Sequence, residues 1–252
     1  MLPYRDSRPA SPQVNKERVL SRIDSIVQAY HAGTWGPVVH EVSPNIDRST
    51  LLWRMYFTLP CAINYQRKSE NLWQSALHTF NDTDTRFVFD CVNVSRGIAA
   101  YKIALSKYRL ALQENKQTRI WFTISETFDK HFEGDPLNLF RMHDFDIVRI
   151  KEYVSAQKSL FPYMSGPKLL NYWLYTFSWF TDVKFNGKEE ISVIPDTHVK
   201  RATVALGLLT EKAAQDGDAV ANFWRIFLHD TRYAPSDLHA PLWRWSRAGC
   251  PR

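Results

Sequence analysis

Apolar positions along this chain recur about every three to four residues, in blocks closed by glycine, proline or aspartate. Between Asn15 and Tyr30, the residues Val19, Ile23, Ile26, Val27 and Tyr30 share one face, which predicts an amphipathic helix. A turn follows at Gly33-Thr34-Trp35-Gly36-Pro37, then a loop through Ser43-Pro44-Asn45. Ser49 to His78 predicts two helices, one on each side of the polar turn Asn64-Tyr65-Gln66. Asn81-Asp82-Thr83-Asp84 predicts a turn. Residues 95–114 read as a helix on which Arg96, Lys102, Lys107 and Arg109 interleave with Tyr101 and Tyr108. Such a face either tracks a phosphate backbone or is simply solvated. At Gly134-Asp135-Pro136 the chain breaks, with Asp135 as a cap and Pro136 opening a short helix. Asp146 to Gln157 predicts another helix.

The most informative block runs from Leu160 to Leu209. Met164-Ser165-Gly166-Pro167 is a tight turn opening onto a helix whose buried face is Leu169, Leu170, Trp173, Leu174 and Phe177. After a polar insert, Pro195 and Asp196 start a second helix, continued by Val199, Ala202, Val204, Ala205 and Leu208. Thr210 then caps a polar run that Gly217 interrupts, Asp218 to Leu228 is helical again, and Ser236 or Asp237 caps a last helix carrying Leu242, Trp243 and Trp245. FVFDCVNV (87–94) is the best strand candidate, and it reads as well as buried helix or loop. The expected class is all-α. Residues 1–13 are rich in proline, serine and arginine and are expected to be loose.

Composition narrows the field. With 252 residues, ordinary charge content and nine tryptophans, the chain can bury a substantial core. A net charge of +6 favours a polyanionic partner. No run reaches the roughly 18 apolar residues of a membrane span, and MLPYRDSRPASPQ has no apolar signal core, so neither a membrane nor secretion is expected. Cys61, Cys91 and Cys250 are odd in number and widely spaced, which offers no disulfide framework and no zinc pattern and fits a reducing cytoplasm. No metal or cofactor is expected.

Candidate chemistry lies at two helix mouths. Lys168 and Asp196 stand there, 28 positions apart (196 − 168). An uncharged lysine amine can attack the anomeric carbon of an extruded nucleotide and form a Schiff base; burial beside the positive end of a helix is the ordinary way to discharge it. A carboxylate opposite can take the amine's proton or stabilise oxocarbenium charge. Asp196 after a proline is also simply a good helix cap.

Ser165-Gly166-Pro167-Lys168 before an apolar helix, followed by Pro195-Asp196-Thr197-His198-Val199, resembles the helix-hairpin-helix DNA glycosylase superfamily, which includes endonuclease III. The resemblance covers roughly residues 50–248, with its specific motifs at 64–66 and 164–201. It implies that Lys168 is the Schiff-base lysine, Asp196 the catalytic aspartate, and Gln66 the residue that fills the gap left by the flipped base. Ser165 and Gly166 would offer turn amides to a DNA phosphate, and His198, Lys200 and Arg201 would supply further phosphate contact. Arg244 and Arg247 are further phosphate candidates, or plain surface arginines. The turn departs from the family in carrying one glycine rather than two, and the lysine–aspartate spacing is longer than in endonuclease III. A long insert here is similar to the archaeal 8-oxoguanine glycosylases, which favours that lesion.

Two lobes with a cleft are implied: residues 49–209 form the lobe with the hairpin, while 1–48 and 210–252 join to make the other. The expected protein is a bifunctional glycosylase and lyase of base-excision repair. It would be a monomer acting on double-stranded DNA, cytoplasmic at the nucleoid or nuclear, and without an iron–sulfur cluster, because only Cys250 stands near the C-terminus. The rival expectations are an N-glycosidase of a free modified nucleoside or nucleotide on the same scaffold, and a non-enzymatic helix-hairpin-helix DNA-binding module.

Overall fold

The computed structural model describes residues 15–36 and 42–251. The expectation for residues 1–13 lies outside them, as does Pro37. Among the described residues there are eleven α-helices and no strand, so the fold is all-α. In chain order they are α1 (Lys16–His31), α2 (Leu51–Tyr56), α3 (Ser69–Asn81), α4 (Gly97–Lys107), α5 (Glu114–Phe132), α6 (Pro136–Met142), α7 (Ile147–Ala156), α8 (Pro167–Phe180), α9 (Thr197–Ala205), α10 (Gly217–Phe227) and α11 (Pro235–Arg247). None of them is long and apolar enough to cross a membrane.

Local sequence accounts for many helix starts. Asn15, Thr50, Asp135, Asp146, Asp196 and Asp216 each stand just before a helix, and each accepts a first-turn N–H on its side chain. Each such cap is worth about 1 kcal/mol against alanine. The stretch 87–94 is not a strand. It forms two 3-10 turns, Arg86–Phe89 and Cys91–Arg96, with Asp90 accepting from Val92 N–H at 3.3 Å between them. Val88, Phe89 and Cys91 all enter the core, which the alternating faces of a strand would not allow. The predicted helix over 95–114 is also broken. It ends at Lys107, Arg109 turns left-handed (φ 56°), and α5 begins at Glu114. Its expected basic and aromatic face is not assembled: Tyr101 is fully buried, and Lys107 pairs with Asp82 at 2.6 Å.

Two hydrophobic cores result. The first gathers α2 to α8 around Tyr56, Phe57, Trp73, Phe89, Trp121, Phe128, Phe140 and Trp173. The second gathers α1 with α9, α10 and α11 through Val19, Ile23, Ile26, Val199, Ala202, Val220, Trp224, Leu238, Leu242 and Trp245. Ile194 belongs to the first core, while Val193 and, through α9, Val199 and Ala202 belong to the second, where α9 packs against α11. The buried indoles are satisfied. Trp121 donates to the Val88 carbonyl at 2.8 Å, Trp173 to the Thr58 hydroxyl at 3.0 Å and Trp224 to the Thr203 hydroxyl at 2.9 Å. Cys61 and Cys91 are buried and form no disulfide among the described residues, and burial pushes the Cys91 thiol far above its ordinary range.

Candidate functional site

Where the two cores meet, α3 and α8 of the first and α9 and α11 of the second line a cavity of about 590 Å3. Lys168, the second residue of α8, stands at its edge. Leu169 and Leu170 behind it are buried and hold the helix mouth in place, while Lys168 itself is exposed and makes no hydrogen bond or ion pair with the described residues. The desolvated amine expected from the sequence is thus not built into the unliganded chain.

The turn before α8 is tight. Tyr163 is left-handed (φ 64°), Ser165 N–H donates to the Phe161 carbonyl at 2.8 Å, and Gly166 N–H donates to the Tyr163 carbonyl at 3.0 Å. A Cβ on Gly166 would stand 3.2 Å from that carbonyl oxygen, so close approach, rather than a left-handed backbone, favours glycine there. With both amides engaged, Ser165 and Gly166 do not present them to a ligand. Pro167 has no N–H, so the first open amides of the helix mouth are those of Lys168 and Leu169.

Asp196 reaches the cavity as the cap of α9. Its Oδ1 accepts from the His198 and Val199 N–H groups, both at 2.9 Å, while Oδ2 makes no hydrogen bond with the described residues. The strand-like approach to it is pinned by Asn171, a buried residue of α8. Asn171 Nδ2 donates to the Ser192 carbonyl at 2.7 Å, and its Oδ1 accepts from Ser192 N–H at 2.9 Å. Asn171 lies three residues after Lys168, so one helix carries the lysine and fixes the path of the aspartate.

Gln66 enters from the loop before α3, exposed and left-handed (φ 53°). A non-glycine residue held there is strained by roughly 1 kcal/mol. Its Oε1 accepts from Gln113 Nε2 at 3.0 Å, and neighbouring Arg67 donates to the Leu110 carbonyl at 2.6 Å. Burial and the Arg109 charge push the Arg67 guanidinium down to about 10. Tyr65 stacks on Tyr163 (centroids 4.9 Å apart, planes 17°), with the Lys116 ammonium over both rings. That stack ties the Gln66 loop to the turn before α8.

The walls are aromatic. Trp73 Nε1 donates to the Tyr172 hydroxyl at 2.8 Å, Tyr172 and Tyr175 run nearly parallel along α8, and Trp243 of α11 lines the same cavity. His239 meets Tyr175 edge-on at 5.3 Å. Burial pushes its imidazole down from 6.5 to about 4, opposed by the Asp196 charge. His198 meets Trp243 edge-on at 5.1 Å. At the rim Arg247 pairs with Glu70 of α3 at 2.9 Å, and the guanidinium groups of Arg244 and Arg247 lie over Trp243.

Of the residues singled out from sequence, Gln66, Lys168, Asp196 and His198 share this cavity; Ser165, Gly166, Lys200 and Arg201 are not in its lining. Lys200 donates its ammonium to the Gln215 carbonyl at 2.5 Å, and Arg201 points to solvent. Trp73, Tyr172, Tyr175, His239 and Trp243 were not singled out as site residues. Their only signal was spacing, Tyr172 with Tyr175 and His239 with Trp243, each pair on one helix face. Among the described residues no group of three or more His, Cys, Asp or Glu is placed to hold a metal ion. Chemically, the lining offers aromatic surface to a flat ring and carries one amine, Lys168, and one carboxylate, Asp196. No protein-family model matches the chain, and no curated protein matches it.

Proposed function

We propose that this chain is a helix-hairpin-helix DNA glycosylase with a lyase step, acting on a damaged base in double-stranded DNA. The observation that carries the reading is that Gln66, Lys168 and Asp196, distant in sequence, line one aromatic cavity between two helical cores. In the proposed fold α7, the turn through Tyr163 and α8 are the hairpin, and the two cores are the two lobes. DNA would be held by the net charge of +6, the Arg244 and Arg247 rim, and the open amides at the mouth of α8. Extruding the nucleotide costs a few kcal/mol, least where pairing is already weakened, and Gln66 would occupy the gap.

In the reaction, Lys168 Nζ forms a bond to C1′ as the bond from C1′ to the base breaks, its electron pair leaving with the base. Asp196 Oδ2 receives the proton released from the amine. Ring opening breaks the C1′–O4′ bond, O4′ taking the proton held on Asp196, and gives the Schiff base; the freed carboxylate then takes a C2′ proton as the C3′–O bond breaks, the 3′ phosphate leaves and the strand is nicked. An exposed Lys168 would lose its water when the nucleotide fills the cavity. The site of action would be the nucleoid or the nucleus.

Borohydride trapping on duplexes carrying 8-oxoguanine, uracil, an oxidised pyrimidine, an alkylated purine or an abasic site tests this. A covalent adduct with one damaged duplex, absent in Lys168→Gln while that variant still binds DNA, is the expected result. Base release without any adduct would make Asp196 the principal group and the enzyme monofunctional. The absence of both adduct and base release, with every duplex, would refute the proposal. One observation favours a second reading, an N-glycosidase of a free nucleoside or nucleotide: the turn amides of Ser165 and Gly166 are already engaged. That reading requires no shift of labelled duplex in a gel, whereas the first requires a shift that weakens steeply with salt.

A further inference from the structure

His239 is an ionisable group of the cavity lining that the chemistry above leaves without a task. It projects from α11 against the edge of Tyr175, close enough to Asp196 to feel its charge. Its Nδ1 is buried and has no hydrogen-bond partner. Burial keeps the ring neutral at physiological pH. A neutral imidazole carries one proton, and an orphaned N–H in the interior is rarer than an orphaned acceptor. The tautomer that suits this site therefore leaves Nδ1 as the bare nitrogen and places the proton on Nε2, the nitrogen able to meet a ligand. Of the other polar groups nearby, Asp196 Oδ2 and Lys168 carry the proposed chemistry, and two more are committed. Asp196 Oδ1 holds two amides, and the Tyr172 hydroxyl accepts from Trp73. His198, across the cavity, also has a buried and unpartnered Nδ1, but its ring abuts Trp243 rather than the Tyr172 and Tyr175 wall.

We propose that His239 is the specificity residue of the cavity, donating its Nε2–H to an exocyclic carbonyl oxygen of a base stacked against the Tyr172, Tyr175 and Trp243 walls. The inference rests on the glycosylase reading and adds a substrate class to it: keto-bases, recognised by an acceptor in the ring plane. A base without that oxygen leaves the donor unpaired in a desolvated place, which is the condition under which enzymes discriminate most strongly.

The test compares base release from duplexes whose target base carries or lacks one exocyclic oxygen, hypoxanthine against unsubstituted purine and uracil against 2-pyrimidinone, alongside trapping at an abasic site. The wild-type chain should release the keto member of at least one pair about ten-fold or more faster than its partner. His239→Phe should collapse that ratio, reducing base release more than abasic-site trapping, where there is no base to read. His239→Gln, which keeps an N–H donor, should retain part of the ratio. An unchanged ratio in His239→Phe overturns the assignment while the glycosylase reading stands. Equal losses of base release and abasic trapping also overturn it, since they indicate a structural part only. A wild-type chain that releases no base from any duplex, in these pairs or the wider lesion panel, removes the underlying reading itself.

Discussion

Asp196 caps α9 and, in the proposed function, also acts as a carboxylate; mutation can separate the two roles. As the cap of α9 it accepts two amide hydrogens on Oδ1; as a functional carboxylate it needs a negative charge on Oδ2. Asparagine caps a helix as well as aspartate does, whereas alanine does not. Asp196→Asn should therefore keep both amide contacts and change stability by only a few tenths of a kcal/mol. Asp196→Ala abandons them and should cost about 1 kcal/mol, or a fall of about 2–4 °C in Tm for a chain of this size. Activity should follow the other order. Both variants lose the charge, so both should lose base release by roughly a hundred-fold or more. The assay is thermal unfolding beside single-turnover base release on whichever duplex the wild-type chain processes. Wild-type release by Asp196→Asn would reduce Asp196 to a cap and refute the reasoning. A large loss of stability in Asp196→Asn would show that the carboxylate charge, and not the cap, holds α9.

Asn171→Ala removes two hydrogen bonds to the Ser192 backbone and should destabilise by about 2 kcal/mol in urea unfolding, since each is worth about 1 kcal/mol. Base release should fall as well, because the approach to Asp196 loses its anchor; full activity would show that the path is held without it. Gln66→Gly relieves a left-handed backbone and should raise stability by at most about 1 kcal/mol, while discrimination of damaged from intact duplex drops; retained discrimination would remove the side chain from the proposed role. His239 gives a pH signature. Its folded value lies below the unfolded 6.5, so the unfolded chain binds more protons, and stability falls as pH drops from about 6.5 toward about 4, with no contribution above that window. At about 1.4 kcal/mol per pH unit, the loss reaches at most about 3 kcal/mol. His239→Phe should flatten that part of the stability curve, and an unchanged slope would place the acid sensitivity elsewhere.

What was legible in the sequence was whatever a few neighbouring residues decide. Asp135 with Pro136, Asp146 and Asp196 each begin a helix where their side chains can accept early amides, and the buried face of α8 follows from its spacing. The breaks were harder to see. The 87–94 stretch is β-branched and aromatic enough for a strand, but it lies where Val88, Phe89 and Cys91 must all turn inward. The cavity walls were hidden for a related reason. Tyr172 and Tyr175 lie on a second face of a helix already apolar on its first, and only the docking of α11 makes that face a site rather than core.

The turn before α8 shows how a tertiary contact can stand in for a residue type. Its single glycine, Gly166, has φ −74°, an ordinary value, while the left-handed place is taken by Tyr163. A tyrosine there costs roughly 1–2 kcal/mol. The stack on Tyr65 contributes about 0.5–1.5 kcal/mol and the Lys116 ammonium about 0.5–1 kcal/mol, enough to offset the strain. Glycine would relieve the backbone but remove the ring that joins this turn to the Gln66 loop. The departure from a two-glycine turn is therefore no evidence against a tight turn here: the conformation is held by Tyr65 and Lys116, and the same contact couples this turn to the Gln66 loop that lines the cavity.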